Sequence, residues 1–274
     1  MFRFLISLLL LFPVLLFSQG EVFVLCYHTF LDKKKVDTDI SPAEFEKHIT
    51  EIESIGYRFV SMEDIYLNRV YGKKNILLTI DDGNHSVKNI YESILMKKNI
   101  KPVLFISPAI IGKVKYALKS DDLKYYQDCG ATLGGHGYYH MYVNEKLYND
   151  DRATFNREIY HSKKWLDQVS GRETRIYAYP FGVFSPVTKE HLIKAGFRAS
   201  FSLRRGYMKV PIYMNDDLFD LPRWMVTKRS WPEIINKLKR DAGRFPENNM
   251  ASQKIKNTLS ADKDSKGRKQ KIQK

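Results

Sequence analysis

Residues 75–80, NILLTI, run straight into two adjacent carboxylates, Asp81 and Asp82, and then Gly83. A near-continuous apolar run without polar alternation needs cover on both faces, which a strand finds in a parallel sheet wrapped by helices. Two neighbouring carboxylates at the end of such a strand are costly unless positive charge lies beside them. These few residues therefore predict a fold class and a cationic partner for the carboxylates.

The rest of the chain repeats the pattern. Strand-like runs fall at residues 22–27, 58–60, 102–106, 131–133, 175–179, 197–202 and 221–226. Ser41, Pro42 and Glu44 supply an N-cap, a first-turn proline and a capping-box acid. They open a helix with Phe45, Ile49, Ile52 and Ile55 at helical spacing, ending at Gly56. Ser61 and Asp64 start a second helix, and a third follows Gly83 to about Lys98. Further helices are read at 121–129, 151–169, 186–195 and 231–239. Repeated strand–helix units with no internal repeat predict one α/β domain, a distorted, incomplete (β/α) barrel of about seven strands. The chain has 274 residues, 43% of them hydrophobic, and 2 Cys. That excludes both a disordered chain and a disulfide-stapled mini-protein. Whether Cys26 and Cys129 pair is left open.

In a barrel, chemistry gathers at the carboxyl ends of the strands. His28 follows the first run, Asp81 and Asp82 follow NILLTI, and His136 and His140 follow the run at 131–133. Pro180-Phe181-Gly182 follows the run at 175–179. Two histidines four residues apart can face one way, the spacing of a metal site. With one of the two aspartates they suit a divalent cation that keeps an open position, and the other aspartate is free to act as a base. Zinc is the default for this donor set, with cobalt or nickel as alternatives.

Thr79-Ile80-Asp81-Asp82-Gly83 and His136-x-x-x-His140 resemble the first two motifs of the polysaccharide deacetylases, carbohydrate esterases with a NodB-homology domain. Tyr177-Ala178-Tyr179-Pro180-Phe181-Gly182 resembles their third. Tyr27-His28, then a helix ahead of the Asp-Asp motif, resembles the circularly permuted branch, which includes enzymes acting on poly-N-acetylglucosamine. The resemblance spans residues 22–226. It implies metal-dependent removal of N-acetyl groups, with Asp82, His136 and His140 as ligands and Asp81 as general base. It further implies His28 as the acid that protonates the leaving amine, and the Phe181 backbone N–H as an oxyanion donor. Ile80 stands where Phe is usual, Gly137 where Ser or Thr is, and Met141 where Pro often follows. Ala178 occupies the place of an arginine that often orients the base. Arg223, in a Leu221-Pro222-Arg223 triplet that also resembles the permuted branch, is expected to replace it.

Other polar and aromatic residues carry blander expectations. His48, His161 and His191 fall inside predicted helices and are read as surface residues. His85 is expected to face the cleft. Asp216, Asp217 and Asp220 are read as a solvated loop. Tyr138, Tyr139, Tyr142 and Trp224 offer faces for sugar rings, or pack in the core or rim.

The formal net charge of +14 invites a nucleic-acid reading, but its location argues otherwise. Residues 1–20 carry a lone Arg3, an apolar run from Phe4 to Phe17 and the small Ser18 and Gly20. This reads as a secretory signal peptide, with an uncleaved membrane anchor as the alternative. Residues 244–274 read as a basic, disordered tail, in which 252–274 hold eight Lys/Arg against Asp262 and Asp264. Residues 21–243 are then the deacetylase domain of an exported monomer, periplasmic or secreted. Its expected partners are an N-acetylated polysaccharide and an anionic envelope surface met by the tail, not nucleic acid. The alternatives are a lapsed enzyme that only binds polysaccharide, and a same-fold hydrolase of a non-glycan amide or an acetyl ester.

Overall fold

A computed structural model of the chain describes residues 19–33 and 36–244. The expected signal peptide, apart from Gln19 and Gly20, and the tail from 245 onward lie outside the described residues. Nine strands form one sheet: β1 (Gly20–Tyr27), β2 (Arg58–Val60), β3 (Gly72–Ile80), β4 (Val103–Ile106), β5 (Thr132–Gly135), β6 (Ile176–Ala178), β7 (Ala199–Phe201), β8 (Met208–Val210) and β9 (Trp224–Met225). Its main path runs β7-β6-β5-β4-β3-β1-β8, seven strands, as the expected incomplete barrel requires. All neighbours on that path are parallel except β8, which pairs antiparallel with the start of β1.

The short strands curl the sheet toward closure. β2 pairs with β3, and β9 pairs with β1 through Leu25–Trp224 and Cys26–Met225. A parallel bridge joins Phe201 to Leu221. The segment 221–225 therefore spans from β7 back to β1, closing most of the gap with two brief contacts. Strand alternation divides the core. Val22, Val24, Leu77, Val103, Phe105, Ala178 and Phe201 share one buried cluster. Phe23, Leu25, Tyr27, Ile76, Leu78, Ile80, Leu104 and Ile106 point the other way, onto the helices.

The helices start where their caps predict. In the helix Pro42–Ser54 the Ser41 hydroxyl accepts from the Glu44 N–H, and the Glu44 carboxylate accepts from the Ser41 N–H. Phe45, Ile49 and Ile52 are fully buried, worth about 1.5–3 kcal/mol apiece. His48 lies on the same face and is only 6% exposed, which corrects its surface expectation. Its ring stacks on Trp231 at 3.6 Å, and Nδ1 meets the Tyr27 hydroxyl at 3.2 Å. His191 is half-buried against Tyr160, whereas His161 is exposed as expected. The helix Trp231–Arg244 outruns its expected end at Lys239 and takes in Arg244, where the tail was expected to open. A helix at Glu145–Asp150 was not anticipated, because it buries no residue and has no apolar stripe. No helix among the described residues is long and apolar enough to cross a membrane.

Candidate active site

Strand register gathers the site. β1 and β3 pair Tyr27 with Ile80, and the Asp81 N–H donates to the Tyr27 carbonyl at 2.9 Å, so His28 and Asp81 leave the sheet side by side. β4 and β5 pair Ile106 with Gly135, and the His136 N–H donates to the Ile106 carbonyl at 3.0 Å. Arg223 arrives on the closing segment just before β9.

Arg223 is 1% exposed, so it is no surface arginine. Its Nη1 donates to Asp81 Oδ1 at 2.7 Å and to Thr79 Oγ1 at 3.3 Å, and Nε donates to the Ser202 carbonyl at 3.2 Å. The guanidinium also lies over the Phe105 ring, 5.2 Å from its centre. The other Asp81 oxygen accepts from Cys26 Sγ at 3.4 Å and lies 3.6 Å from His136 Nε2. Burial pushes the Asp81 carboxyl up, but Arg223, then His136 and His28, outweigh it and hold it below the ordinary carboxylate range. Burial also pushes the Cys26 thiol well up, so it serves as an S–H donor; both cysteines are free. His28 forms a close group with Cys26 and Asp81, and its Nδ1 has no partner among the described residues. Burial drives its pKa down, against the pull of Asp81 and Asp82.

Asp82, His136 and His140 form the second group. Asp82 Oδ1 is buried without a hydrogen-bond partner, yet it lies 3.5 Å from His136 Nε2 and 3.3 Å from His140 Nε2. These separations suit donors around a shared ion. Ligands about 2.0–2.1 Å from a tetrahedral zinc stand about 3.3–3.4 Å apart. His136 Nδ1 lies 2.8 Å from the Ala178 carbonyl, which requires a proton on Nδ1, so Nε2 is the atom that would face a cation beside Asp82. The three residues thus fit a divalent cation. Their backbone is strained to match: Asp82, His140 and Phe181 all have left-handed φ, at 76°, 65° and 59°. Gly83 continues the turn at φ 86°, where a Cβ would stand 2.9 Å from Ile111 Cδ1.

Phe181 follows β6 in the turn Pro180–Gly182. Its side chain is 47% exposed, packs edge-on to His140 and stacks on Tyr142 at 4.1 Å. Tyr139 and Tyr142 are exposed beside the histidines, whereas Trp224 is buried and stacks on Phe23, which makes it a core residue. His85 is half-buried in the turn after Gly83. The acidic residues serve local pairs: Asp220 with Arg204, Asp217 with Lys189, and Asp216 with Lys209. Sequence reasoning passed over Glu158, which is fully buried and accepts from the N–H groups of Tyr138, Tyr139 and Met141. Its spacing offered a signal, since Phe155, Glu158, Ile159, Ser162 and Leu166 share one buried face.

A curled (β/α) barrel with paired carboxylates and imidazoles at one rim has the architecture of a hydrolase built around an activated water. Known proteins narrow that class. The polysaccharide deacetylase family model matches residues 68–200, which include Asp81, Asp82, His136, His140 and Phe181. The structure of IcaB from Ammonifex degensii is 27% identical, with a TM-score of 0.69, over 80% of this chain and 97% of that one. The Streptococcus pyogenes deacetylase PplD, solved with acetate, shares the fold at 20% identity and a TM-score of 0.68, over 80% and 98% of the two chains. The poly-beta-1,6-N-acetyl-D-glucosamine N-deacetylase of Staphylococcus aureus is 20% identical over 210 residues, 72% of this chain and 71% of that protein. Residues 68–200 thus match a polysaccharide deacetylase domain, and the chain has the NodB-type fold of these structures. His28 and Arg223 lie outside the matched span, one before it and one after.

Proposed function

We propose that the protein is an exported, metal-dependent hydrolase that removes N-acetyl groups from an N-acetylglucosamine-containing envelope or extracellular polysaccharide. The observation that carries this reading is the division of labour between adjacent aspartates. Asp81 is bound to Arg223 at 2.7 Å, while Asp82 Oδ1 is left to the two histidines. Asp82, His136 and His140 would hold the cation. A divalent cation there would supply Lewis acidity and lower the pKa of the attacking water toward neutrality.

Asp81 is the carboxylate placed to accept a proton from the attacking water. Arg223 favours its ionised form and fixes the direction of its second oxygen, Oδ2. His28, which stands in a close group with Asp81, is placed to give a proton to the departing amine. The Phe181 N–H, in the left-handed turn beside His140, steadies the negative charge on the former acetyl oxygen. Tyr139, Tyr142 and the Phe181 ring offer apolar faces to the sugar at the mouth of the site. The likeness to the poly-beta-1,6-N-acetyl-D-glucosamine N-deacetylase of Staphylococcus aureus supports a glucosamine polymer as substrate.

The test is acetate release from N-acetylglucosamine oligomers, peptidoglycan and acetylated xylan, before and after chelation and with zinc or cobalt restored. Release from the glucosamine substrates that chelation and Asp82→Ala both abolish is the expected result. Unchanged release after chelation would refute the metal reading, and release from xylan alone would refute the substrate.

A further inference from the structure

The loop that carries both histidines lacks the hydroxyl residue expected after the first of them, yet its backbone is held from several sides. Ser107 Oγ donates to the His136 carbonyl at 2.7 Å, and the Ala109 N–H donates to the Tyr138 carbonyl at 2.9 Å. From below comes a single helix, which turns π-helical at Arg157–His161 before continuing as Ser162–Ser170. Ser162 Oγ donates to the Gly137 carbonyl at 2.9 Å. One turn earlier, Glu158 receives the N–H of Tyr139 on Oε1 at 2.7 Å, and those of Tyr138 and Met141 on Oε2 at 3.1 Å each.

Three converging backbone N–H groups form a nest for an anion. Here the anion is a side chain of the same protein, with no exposed surface. A carboxylate suits the place because its two oxygens offer about four lone-pair directions. A serine hydroxyl could not satisfy three donors at once. Gly137 is the counterpart: at φ 71°, a Cβ built there would stand 2.3 Å from Glu158 Oε2. Nothing but glycine leaves room for the carboxylate in this loop conformation.

Resting on the reading of Asp82, His136 and His140 as metal ligands, we propose that Glu158 is a positioning residue for that centre. It holds the loop 137–141 so that His136 and His140, at its two ends, face Asp82. Gly137 is the residue that admits it. Partners that orient metal ligands are worth about 10–100-fold in metal affinity.

The experiment uses the full chain, stripped of metal and titrated with cobalt(II) against a chromophoric chelator, with the cobalt ligand-field spectrum recorded. Glu158→Gln is nearly isosteric but turns an amide toward the three N–H groups, and is expected to weaken cobalt about 10–100-fold and shift its spectrum. Gly137→Ala keeps the carboxylate but crowds it, and is expected to do the same, which covers the case that Glu158→Gln fails to fold. Wild-type affinity and spectrum in either variant would overturn the proposal. Asp82→Ala separates the two readings. If it loses cobalt while the Glu158 and Gly137 variants do not, only the positioning role falls. If it binds cobalt like the wild type, the metal site itself is misread, and the proposal falls with it.

Discussion

Arg223 and Asp81 stand 142 positions apart and meet in a 2.7 Å ion pair, 1% and 2% exposed, at the carboxyl rim of the barrel. The pair ties the closing segment to β3, so it has a structural and a chemical effect to test. Arg223→Met leaves the Asp81 carboxylate buried without its countercharge, at a cost of about 3–5 kcal/mol in unfolding free energy. Acetate release should fall by about 100-fold or more, since the base loses its orientation. Urea unfolding of Asp81→Asn/Arg223→Met should recover most of the stability and none of the activity. An Arg223→Met protein as stable as the wild type would show that the ion pair is not formed in solution.

Metal binding should also be visible without substrate. The three donors of Asp82, His136 and His140 converge only in the folded chain, so zinc held there would bind the folded state and stabilise it. At zinc concentrations 100 times Kd the gain is about 2.7 kcal/mol. For a domain of this size that is about 5–10 °C in the unfolding midpoint. Calorimetry of the chelated protein should show this rise on adding zinc. Asp82→Ala should abolish it, and an equal rise in that variant would place the zinc elsewhere.

The aromatic residues near the site divide into two kinds. Trp224 packs on Phe23 and donates through Nε1 to the Gly206 carbonyl at 3.0 Å. Trp224→Ala should therefore cost about 3–5 kcal/mol of stability. Tyr142 is 51% exposed and loses only its stack on Phe181 when truncated, about 1 kcal/mol. Tyr142→Ala should instead raise KM for glucosamine oligomers with kcat little changed. Steady-state kinetics on oligomers of increasing length, beside urea unfolding, would distinguish the two.

What the chain spelled out, and what it hid, follows from how local each signal is. The buried strands were legible because apolar runs such as NILLTI have no other stable use, and the helix starts because Ser41–Glu44 and Ser61–Asp64 are complete local boxes. The strand-end histidines and aspartates were legible for the same reason, since each sits directly after a recognisable run. β8 was hidden, being 3 residues long and held by a partner far along the chain, whereas β9 lies inside the run expected at 221–226. Glu158 was missed because a glutamate between Arg157 and Ile159 looks like helix surface. Only the stripe through Phe155, Ser162 and Leu166 marks it as buried, and the N–H groups that justify its burial belong to another segment.

His48 supplies a prediction about acid stability. Its burial against Trp231 and Tyr27 lowers its pKa from the ordinary 6.5 to about 4, with Glu44 pulling back and Lys47 adding to the fall. Between those values the unfolded chain binds a proton that the folded chain refuses, so stability rises with pH across the interval and is lost as pH falls through it. The full loss, reached near pH 4, is on the order of 3 kcal/mol. In His48→Phe, which keeps a ring against Trp231, the stability difference between pH 7 and pH 4.5 should shrink by about that amount. Urea midpoints of the two proteins at both pH values measure it, and parallel losses on acidification would mean that His48 is protonated at no cost in the folded protein.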